Sequence, residues 1–204
     1  FTIAHSLTCS IIEKIMEYCI ASIDQGLTKD MFIEGLKKWC ESSGWYGGKY
    51  DDLIDDPTQR EKIEKYLNWR LSVIYRTNIT TSYLSGKYRQ MLKSSILRPV
   101  WVYSAVMDDR TRPEHRALNG KAFRFDSLFW NAYYPPNGWN CRCSVYSLAE
   151  STAKERGINV EDKDLPDLTY TDKDGIEKMF NWQRFCPKEW RYNPGKEKFM
   201  PDWS

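Results

Sequence analysis

The apolar residues of this chain change their spacing near Pro99, and that change constrains the fold more than any other feature. Before Pro99 they recur every three or four positions, which is typical of amphipathic helices. After it, β-branched and aromatic residues form short runs separated by glycine, proline and asparagine, as in short strands joined by turns. The sequence therefore predicts an α+β protein, in which helical hairpins or long helices pack with a small module of short antiparallel strands.

Three helices are predicted in the first part of the chain. The first follows an apolar stripe from Ile3 and ends at Gly26, a residue type that commonly terminates helices. Thr28 has the side chain of an N-cap and predicts the start of the second helix. Asp56, which is followed by proline, predicts the start of a third helix that continues towards Ser95.

Strands and a further helix are predicted after Pro99. β-forming residues dominate at 99–107, 121–125 and 141–146, so each of these segments is predicted to be a strand. A helix is expected over about 147–156, directly after the last strand.

Three regions follow from these patterns. We expect a helical region at 1–95, an α+β core module at 96–150, and a C-terminal extension at 151–204. The extension either packs back on the core or docks a partner through its aromatic side chains. Its late aromatic residues are Phe180, Trp182, Phe185, Trp190 and Tyr192.

Composition excludes several classes of protein. The 30 basic and 28 acidic residues give a net charge of +2, which is unlike a strongly basic nucleic-acid coat or an acidic tail. With 9 Trp, 13 Tyr and 8 Phe, the chain has enough apolar area to fold. It contains no run of roughly 18 apolar residues that would span a membrane. It begins at Phe1 without an initiator methionine, so we expect it to derive from a longer gene product.

A candidate metal site is formed by His115, one of only two histidines, together with Cys141 and Cys143. Thiolates and imidazole are the ligands that zinc prefers, and Asp108 or its neighbour Asp109 could supply a fourth. Two cysteines separated by one residue would point to opposite faces of a strand unless the backbone bulges. A disulfide between them is not expected on geometric grounds.

Two other interpretations of these residues remain open. His115 and the cysteines could simply pack in the core or form hydrogen bonds. Alternatively, His115 could act as a general base oriented by Asp108, or pair with Cys141 as a nucleophile.

Two sequence blocks resemble the phage Mu F-like family of minor head proteins, a phage head-morphogenesis family. DDRTRPEHRALNGKAF is followed by PPNGWNCRC, in the order that the family pattern requires. The matching positions are Asp108, Thr111, His115, Gly120, Pro135, Pro136, Cys141 and Arg142. Upstream, YRTNITTSYLSGKYRQM resembles a family helix, and downstream WRYNPGKEKF resembles the ending of many members. The upstream matches are Arg76, Thr77, Asn78, Tyr83 and Gly86, and the resemblance covers roughly 60–195.

The resemblance implies a non-enzymatic protein of the virion. Such proteins lie inside the head near the portal, reach it from the host cytoplasm during assembly, and are linked to head assembly and to packaged DNA and its delivery. The implied partners are the portal protein, the major capsid protein or both, with weak, non-specific DNA contact and no membrane. In the family, histidine and cysteine interchange at the position of His115, as metal ligands do, which implies one structural Zn²⁺.

Several residues of the two blocks have structural interpretations. Pro135 and Pro136 are expected to fix a rigid turn that delivers Cys141, and Arg142 is expected to pair with Asp108 or Asp109. Five basic residues form a local group, here called the basic cluster, that could contact DNA phosphates or an acidic portal surface, or could be a solvated face. The basic cluster consists of Arg110, Arg112, Arg116, Lys121 and Arg124.

Two alternative functions compete with head assembly. One is a metal-dependent nuclease or hydrolase centred on His115 and Asp108, which requires a cleft with an open metal position. The other is a carrier module of a phage-derived toxin, because the family resemblance includes fusions to toxin domains.

Overall fold

The computed structural model describes residues 9–46, 49, 56–172 and 174–196, and the architecture is α+β as predicted. None of its described helices combines the length and the apolar character needed to cross a membrane. In chain order, the elements are α1 (Cys9–Asp24), α2 (Lys29–Ser43), α3 (Arg60–Lys93), β1 (Val100–Ser104), α4 (Pro113–Ala117), β2 (Ala122–Arg124), α5 (Phe129–Tyr133), β3 (Ser144–Leu148), α6 (Glu150–Glu155), β4 (Thr169–Thr171), β5 (Glu177–Met179), α7 (Trp182–Phe185) and a 3₁₀ turn (Lys188–Trp190).

The three predicted helices are present as α1, α2 and α3. The expected start of the first at Ile3 lies outside the described residues. Thr28 caps α2 as predicted, because its hydroxyl accepts a hydrogen bond from the backbone nitrogen of Met31 at 3.3 Å. The third helix begins later than predicted, at Arg60, since the carboxylate of Asp56 instead accepts a hydrogen bond from the backbone nitrogen of Thr58 in a preceding turn.

The chain divides into two compact units, Phe1–Ile79 and Thr80–Ser204. The division falls inside α3, upstream of the boundary at residue 95 that the change of pattern indicates. Its physical reason is that Leu84, Tyr88 and Met91 of α3 are buried in the core of the second unit.

The first unit is held together by apolar side chains of α1, α2 and the first part of α3. Ile15, Phe32, Leu36 and Leu71 are completely buried there. α1 and α2 approach closely at Gly35, where a Cβ atom would lie 2.4 Å from the ring of Tyr18.

The second unit is built on a three-stranded antiparallel sheet of order β2-β1-β3. The predicted strand at 141–146 is displaced, because β3 spans Ser144–Leu148, and the following helix α6 therefore begins at Glu150 instead of near 147. One face of β1 presents Trp101 and Tyr103 to a large aromatic core. The opposite face packs Val102 against Leu148 and Ala153.

Aromatic side chains from the C-terminal part of the chain are buried in the core of the second unit. Phe180, Phe185 and Trp190 are buried in the same cluster as Trp101, while Trp182 is partly buried against it. β4 and β5 form a separate two-stranded antiparallel hairpin, with Tyr170 opposite Lys178.

The Asn-Pro-Gly segment fastens the end of the extension to the second unit. Asn193 donates a hydrogen bond through Nδ2 to the carbonyl of Trp130 at 2.7 Å. Ser85 of α3 donates to the carbonyl of Pro194 at 2.9 Å. Gly195 lies so close to Tyr88 that a Cβ atom would come within 2.4 Å of its ring.

We expect Gly195→Ala to destabilise the second unit, because the added methyl group overlaps the buried ring of Tyr88. Overpacking of this kind costs about 1–3 kcal/mol. Gly86→Ala is the matched control, because a Cβ atom at Gly86 in α3 meets nothing within 4 Å. It should stabilise the helix by about 0.5–1 kcal/mol.

Urea unfolding of both variants, followed by tryptophan fluorescence, measures the two effects. Equal midpoints for Gly195→Ala and the wild-type protein would contradict the close packing of the extension on α3.

Candidate metal centre

Three potential metal ligands converge in the second unit: His115 of α4, and Cys141 and Cys143 of the loop before β3. His115 Nδ1 lies 3.3 Å from Cys143 Sγ and 3.8 Å from Cys141 Sγ. All three ligand atoms lie within 4.8 Å of one another. The three residues are buried, with exposed fractions of 2%, 8% and 3% for His115, Cys141 and Cys143. The structure therefore brings together the histidine and both cysteines that the sequence singled out.

These separations suit three of the four ligand positions of a tetrahedral zinc site. Ligand atoms about 2.0 Å (nitrogen) and 2.3 Å (sulfur) from a tetrahedral zinc lie about 3.5 Å from each other. The two nitrogen–sulfur distances, 3.3 and 3.8 Å, lie on either side of that value. Nitrogen and sulfur ligands also exclude the hard cations magnesium and calcium, which prefer oxygen.

Both sulfurs face the same way because Cys141 to Cys143 are not part of a strand. The backbone turns at Gly138, which has a φ of 132°, and at Asn140, which has a left-handed φ of 57°. The nitrogen of Cys141 bonds to the carbonyl of Gly138 at 3.2 Å within this turn. The predicted strand would have sent the two sulfurs to opposite faces, and the late start of β3 at Ser144 removes that restriction.

The loop is anchored by Asn137, which is completely buried. Its Oδ1 accepts a hydrogen bond from the hydroxyl of Tyr103 at 2.9 Å, and its Nδ2 donates to the sulfur of Cys186 at 3.7 Å. On the other side, the ring of Phe185 packs edge-on against His115, with ring centres 4.8 Å apart. Strand β1 and the C-terminal extension thus hold the three ligands in place.

Sequence reasoning missed these supporting residues. Asn137 was assigned only to a turn, and Tyr103 only to a strand. The alternation along β1, which turns Trp101 and Tyr103 to one face, was the signal that could have found Tyr103. Cys186 lies far along the chain, and nothing local connects it to the loop.

The surroundings of the two cysteines favour a thiolate at Cys141 and a neutral thiol at Cys143. Hydrogen bonds from Cys143 and from His115 hold the pKa of Cys141 well below that of an ordinary thiol, against the effect of burial. The pKa of Cys143 is raised because its thiol donates to Cys141 and is buried. Burial also raises the pKa of Cys186, to about 11. A thiolate beside an imidazole is the form in which these residues bind metal.

The two nitrogens of His115 have different surroundings. Nδ1 faces both cysteine sulfurs, whereas Nε2 is buried and has no hydrogen-bond partner among the described residues. An unsatisfied buried polar atom is costly, and a metal bond at Nδ1 would leave that cost in place. The atom available to a metal is therefore Nδ1.

Asp108 lies outside this cluster, so the expectation that it provides a fourth ligand or orients His115 does not fit the structure. Arg142 Nη1 donates to Asp108 Oδ2 at 2.7 Å, and Nη2 donates to Oδ1 at 2.5 Å. Thr111 completes the group by donating to Asp108 Oδ1 at 3.1 Å. The ion pair expected for Arg142 is therefore present, and it ties the loop to the turn before α4.

The remaining motif residues have structural surroundings. Gly120 has a left-handed φ of 82°, and its nitrogen bonds to the carbonyl of Tyr103 at 2.9 Å. Pro135 and Pro136 are buried and joined by a cis peptide bond. In the first unit, Asn78 donates to the carbonyl of Ile74 at 2.9 Å. Thr77 is also buried there, whereas Arg76 is exposed.

The five residues of the basic cluster fall into two groups with different surroundings. Lys121 pairs with Glu161 at 2.8 Å, and Arg124 pairs with Glu150 at 2.9 Å. Its other three members, Arg110, Arg112 and Arg116, line a cleft beside α4.

The family model and the curated relatives that match this chain refer to the same family. A family model described as Phage Mu protein F like protein matches residues 13–146. The match begins well upstream of residue 60, where the resemblance in the sequence was expected to start. It thus covers most of α1, all of α2 and the loop that carries Cys141 and Cys143.

Two curated relatives match most of the chain. The chain is 38% identical over 160 residues to "Putative capsid assembly protein F" of Escherichia phage Mu. It is 32% identical over 164 residues to the "Mu-like prophage FluMu F protein" of Haemophilus influenzae. The matches cover 78% and 80% of this chain but only 36% and 38% of the relatives, so the chain spans little more than a third of their length. No solved structure matches the chain significantly.

The ion pair between Asp108 and Arg142 makes the stability of the folded protein depend on pH. The hydrogen bonds from Arg142 hold the pKa of Asp108 well below its ordinary value of 3.8. Its stabilising effect is therefore complete above that ordinary value and is lost as the pH falls through the lowered pKa. Asp108→Asn should lower the melting temperature at pH 7, and the difference from the wild-type protein should shrink below about pH 3.8.

Thermal melts at pH 7 and pH 2.5 compare the variant with the wild-type protein. Asp109→Asn, at the exposed neighbouring carboxylate, is the control and should change neither melt. A difference for Asp108→Asn that is as large at pH 2.5 as at pH 7 would refute this assignment.

Proposed function

Because the chain belongs to the Phage Mu protein F like family, we propose that it acts as a minor head protein in phage head assembly. The observation that carries this proposal is the family match across 13–146, which includes both the helices and the loop with the paired cysteines. The name of the phage Mu relative, which refers to capsid assembly, supports the same role. Since the chain spans only part of its relatives, the proposal concerns the part that this chain contributes.

The proposed location is the interior of the phage head near the portal, reached from the host cytoplasm during assembly. The proposed partners are the portal protein, the major capsid protein or both. Contact with packaged DNA, and help in its delivery, would be weak and salt-sensitive. It would be weak because Lys121 and Arg124 are paired with Glu161 and Glu150, which lowers the positive charge that the basic cluster can offer to phosphates.

We also propose that His115, Cys141 and Cys143 hold one structural Zn²⁺. Bound there, the metal would supply a link between α4 and the loop before β3, and its binding energy would add to folding. Asn137 and Tyr103 position the loop, while Phe185 keeps water from the imidazole.

A structural role suits this site better than hydrolysis. Cys141, the nucleophile in one alternative, is only 8% exposed. Asp108, the carboxylate in the other, is engaged by Arg142 and Thr111. Neither arrangement offers a substrate the reactive pair that hydrolysis requires.

Metal analysis of the purified protein tests the zinc site. We expect one zinc per chain in the wild-type protein and none in Cys141→Ser or His115→Ala. Both variants should melt at least about 5 °C lower, because the lost metal bond is worth several kcal/mol and each kcal/mol shifts the melting temperature of a unit between these size classes by about 4 °C. Cys40→Ser, which changes a buried cysteine of the first unit, should keep its zinc. A metal-free wild-type protein, with unchanged melting in both variants, would refute the site.

Deletion and tagging of the gene in its phage or prophage test the role in the head. We expect the tagged protein to co-purify with intact heads, and its deletion to reduce the yield of DNA-filled heads at least about tenfold. The measurement is quantitative mass spectrometry of gradient-purified particles. A normal yield of filled heads without the protein would contradict the proposal. Its recovery only outside heads would favour the toxin-carrier alternative.

A further inference from the structure

A cleft of about 700 Å³ lies beside α4, outside the metal-ligand cluster. One wall is formed by the segment that runs from Met107 through the start of α4 to Ala117. The other wall is formed by β4 and the residue after it, Thr169 to Asp172. The cleft therefore lies between the motif segment that carries Thr111 and the hairpin of the C-terminal extension.

Three arginines line this cleft, and their charges are little compensated by described residues. Arg110 lies 3.8 Å from an oxygen of Asp108, and its side chain is 86% exposed. That carboxylate already accepts two hydrogen bonds from Arg142. Within the described part of the chain, the side chain of Arg112 donates to the carbonyl of Trp139 at 2.7 Å, and this neutral acceptor fixes the side chain without neutralising its charge.

Arg116 is the least compensated of the three. It is exposed and has neither a hydrogen bond nor an ion pair from its side chain to any described residue. The acidic residue Asp172 on the opposite wall offers little, because it pairs with Lys178 at 2.5 Å and accepts the backbone nitrogen of Ile176 at 3.0 Å. Asp109 is the other carboxylate of the lining, against three arginines.

The lining is also partly apolar, which indicates the kind of ligand. Met107 is 56% exposed, and Pro113 and Ala117 contribute further apolar surface. A peptide presents both carboxylates and apolar side chains, whereas a DNA backbone presents only phosphate and sugar.

We propose that this cleft binds an acidic segment of a partner protein, whose carboxylates are received by Arg110, Arg112 and Arg116. The forked guanidinium group matches a carboxylate with two parallel hydrogen bonds, which gives orientation as well as affinity. The inference rests on the proposed function only in that the partner is a protein of the phage head. It names the chemistry of that partner's contact surface.

Fluorescence anisotropy with a labelled ten-residue peptide tests the proposal. The peptide alternates glutamate with serine and leucine, and a matched peptide carries glutamine in place of glutamate. We expect the wild-type protein to bind the glutamate peptide at least about tenfold more tightly than the glutamine peptide at about 0.15 M salt. The double variant Arg110→Gln/Arg116→Gln should lose about tenfold in affinity.

Arg124→Gln is the control, because it removes one positive charge from the basic cluster, against two in the double variant, at a residue outside the cleft that is paired with Glu150. It should bind within about twofold of the wild-type protein. Equal binding of both peptides, or an equal loss in Arg124→Gln and in the double variant, would overturn the proposal. Unchanged melting temperatures show that the variants are folded.

A random-sequence DNA duplex serves as the competing ligand. If the duplex binds more tightly than the glutamate peptide and loses affinity in the double variant, the cleft is a DNA contact and the proposal is wrong. Incorporation into phage heads separates this result from the proposed function. Absence of peptide binding by a protein that still enters heads would refute the cleft while leaving the head-assembly role intact.

Discussion

The second unit depends on burying two aromatic side chains of one strand, Trp101 and Tyr103 of β1. Both are completely inaccessible to solvent, and β1 is the strand to which both neighbours pair. The ring of Trp101 contacts Tyr88 of α3 and Trp130 of α5, at centroid distances of 5.3 and 5.8 Å. Aromatic burial of this extent is among the largest contributions to a core. Helix, sheet and C-terminal extension are assembled around that strand.

The candidate metal centre inherits its geometry from the same strand. The hydroxyl of Tyr103 reaches Asn137, and Asn137 holds the loop that carries Cys141 and Cys143. Placing imidazole and thiol groups inside an aromatic core is unfavourable unless their polar atoms find partners. In the structure, His115 Nδ1 and the two cysteine sulfurs partner one another, and a metal bound there would use the same three atoms.

The short helix α4 has one face buried in the core and another that lines the cleft. Glu114 and His115 point inward, where Glu114 accepts hydrogen bonds from Tyr170 at 3.3 Å and pairs with Arg184 at 2.7 Å. Arg112 and Arg116 point outward and line the cleft. A partner bound in the cleft would thus lie against the helix that carries one of the metal ligands.

The sequence by itself determined the fold class, the family and the three metal-ligand candidates. Helical spacing before Pro99 and β-forming runs after it are local patterns, so they are visible without any tertiary information. The blocks around His115 and Cys141 are likewise continuous stretches of sequence.

Only the tertiary structure decided how those residues are used. The left-handed turn at Asn140 places both sulfurs beside His115. Asp108 instead pairs with Arg142, outside this cluster. Glu161 and Glu150 neutralised part of the basic cluster from 26 to 40 residues away. Contacts over such separations depend on the path of the loops. Side-chain periodicity reports only which face of an element is buried, and it carries no information about which distant residue meets that face.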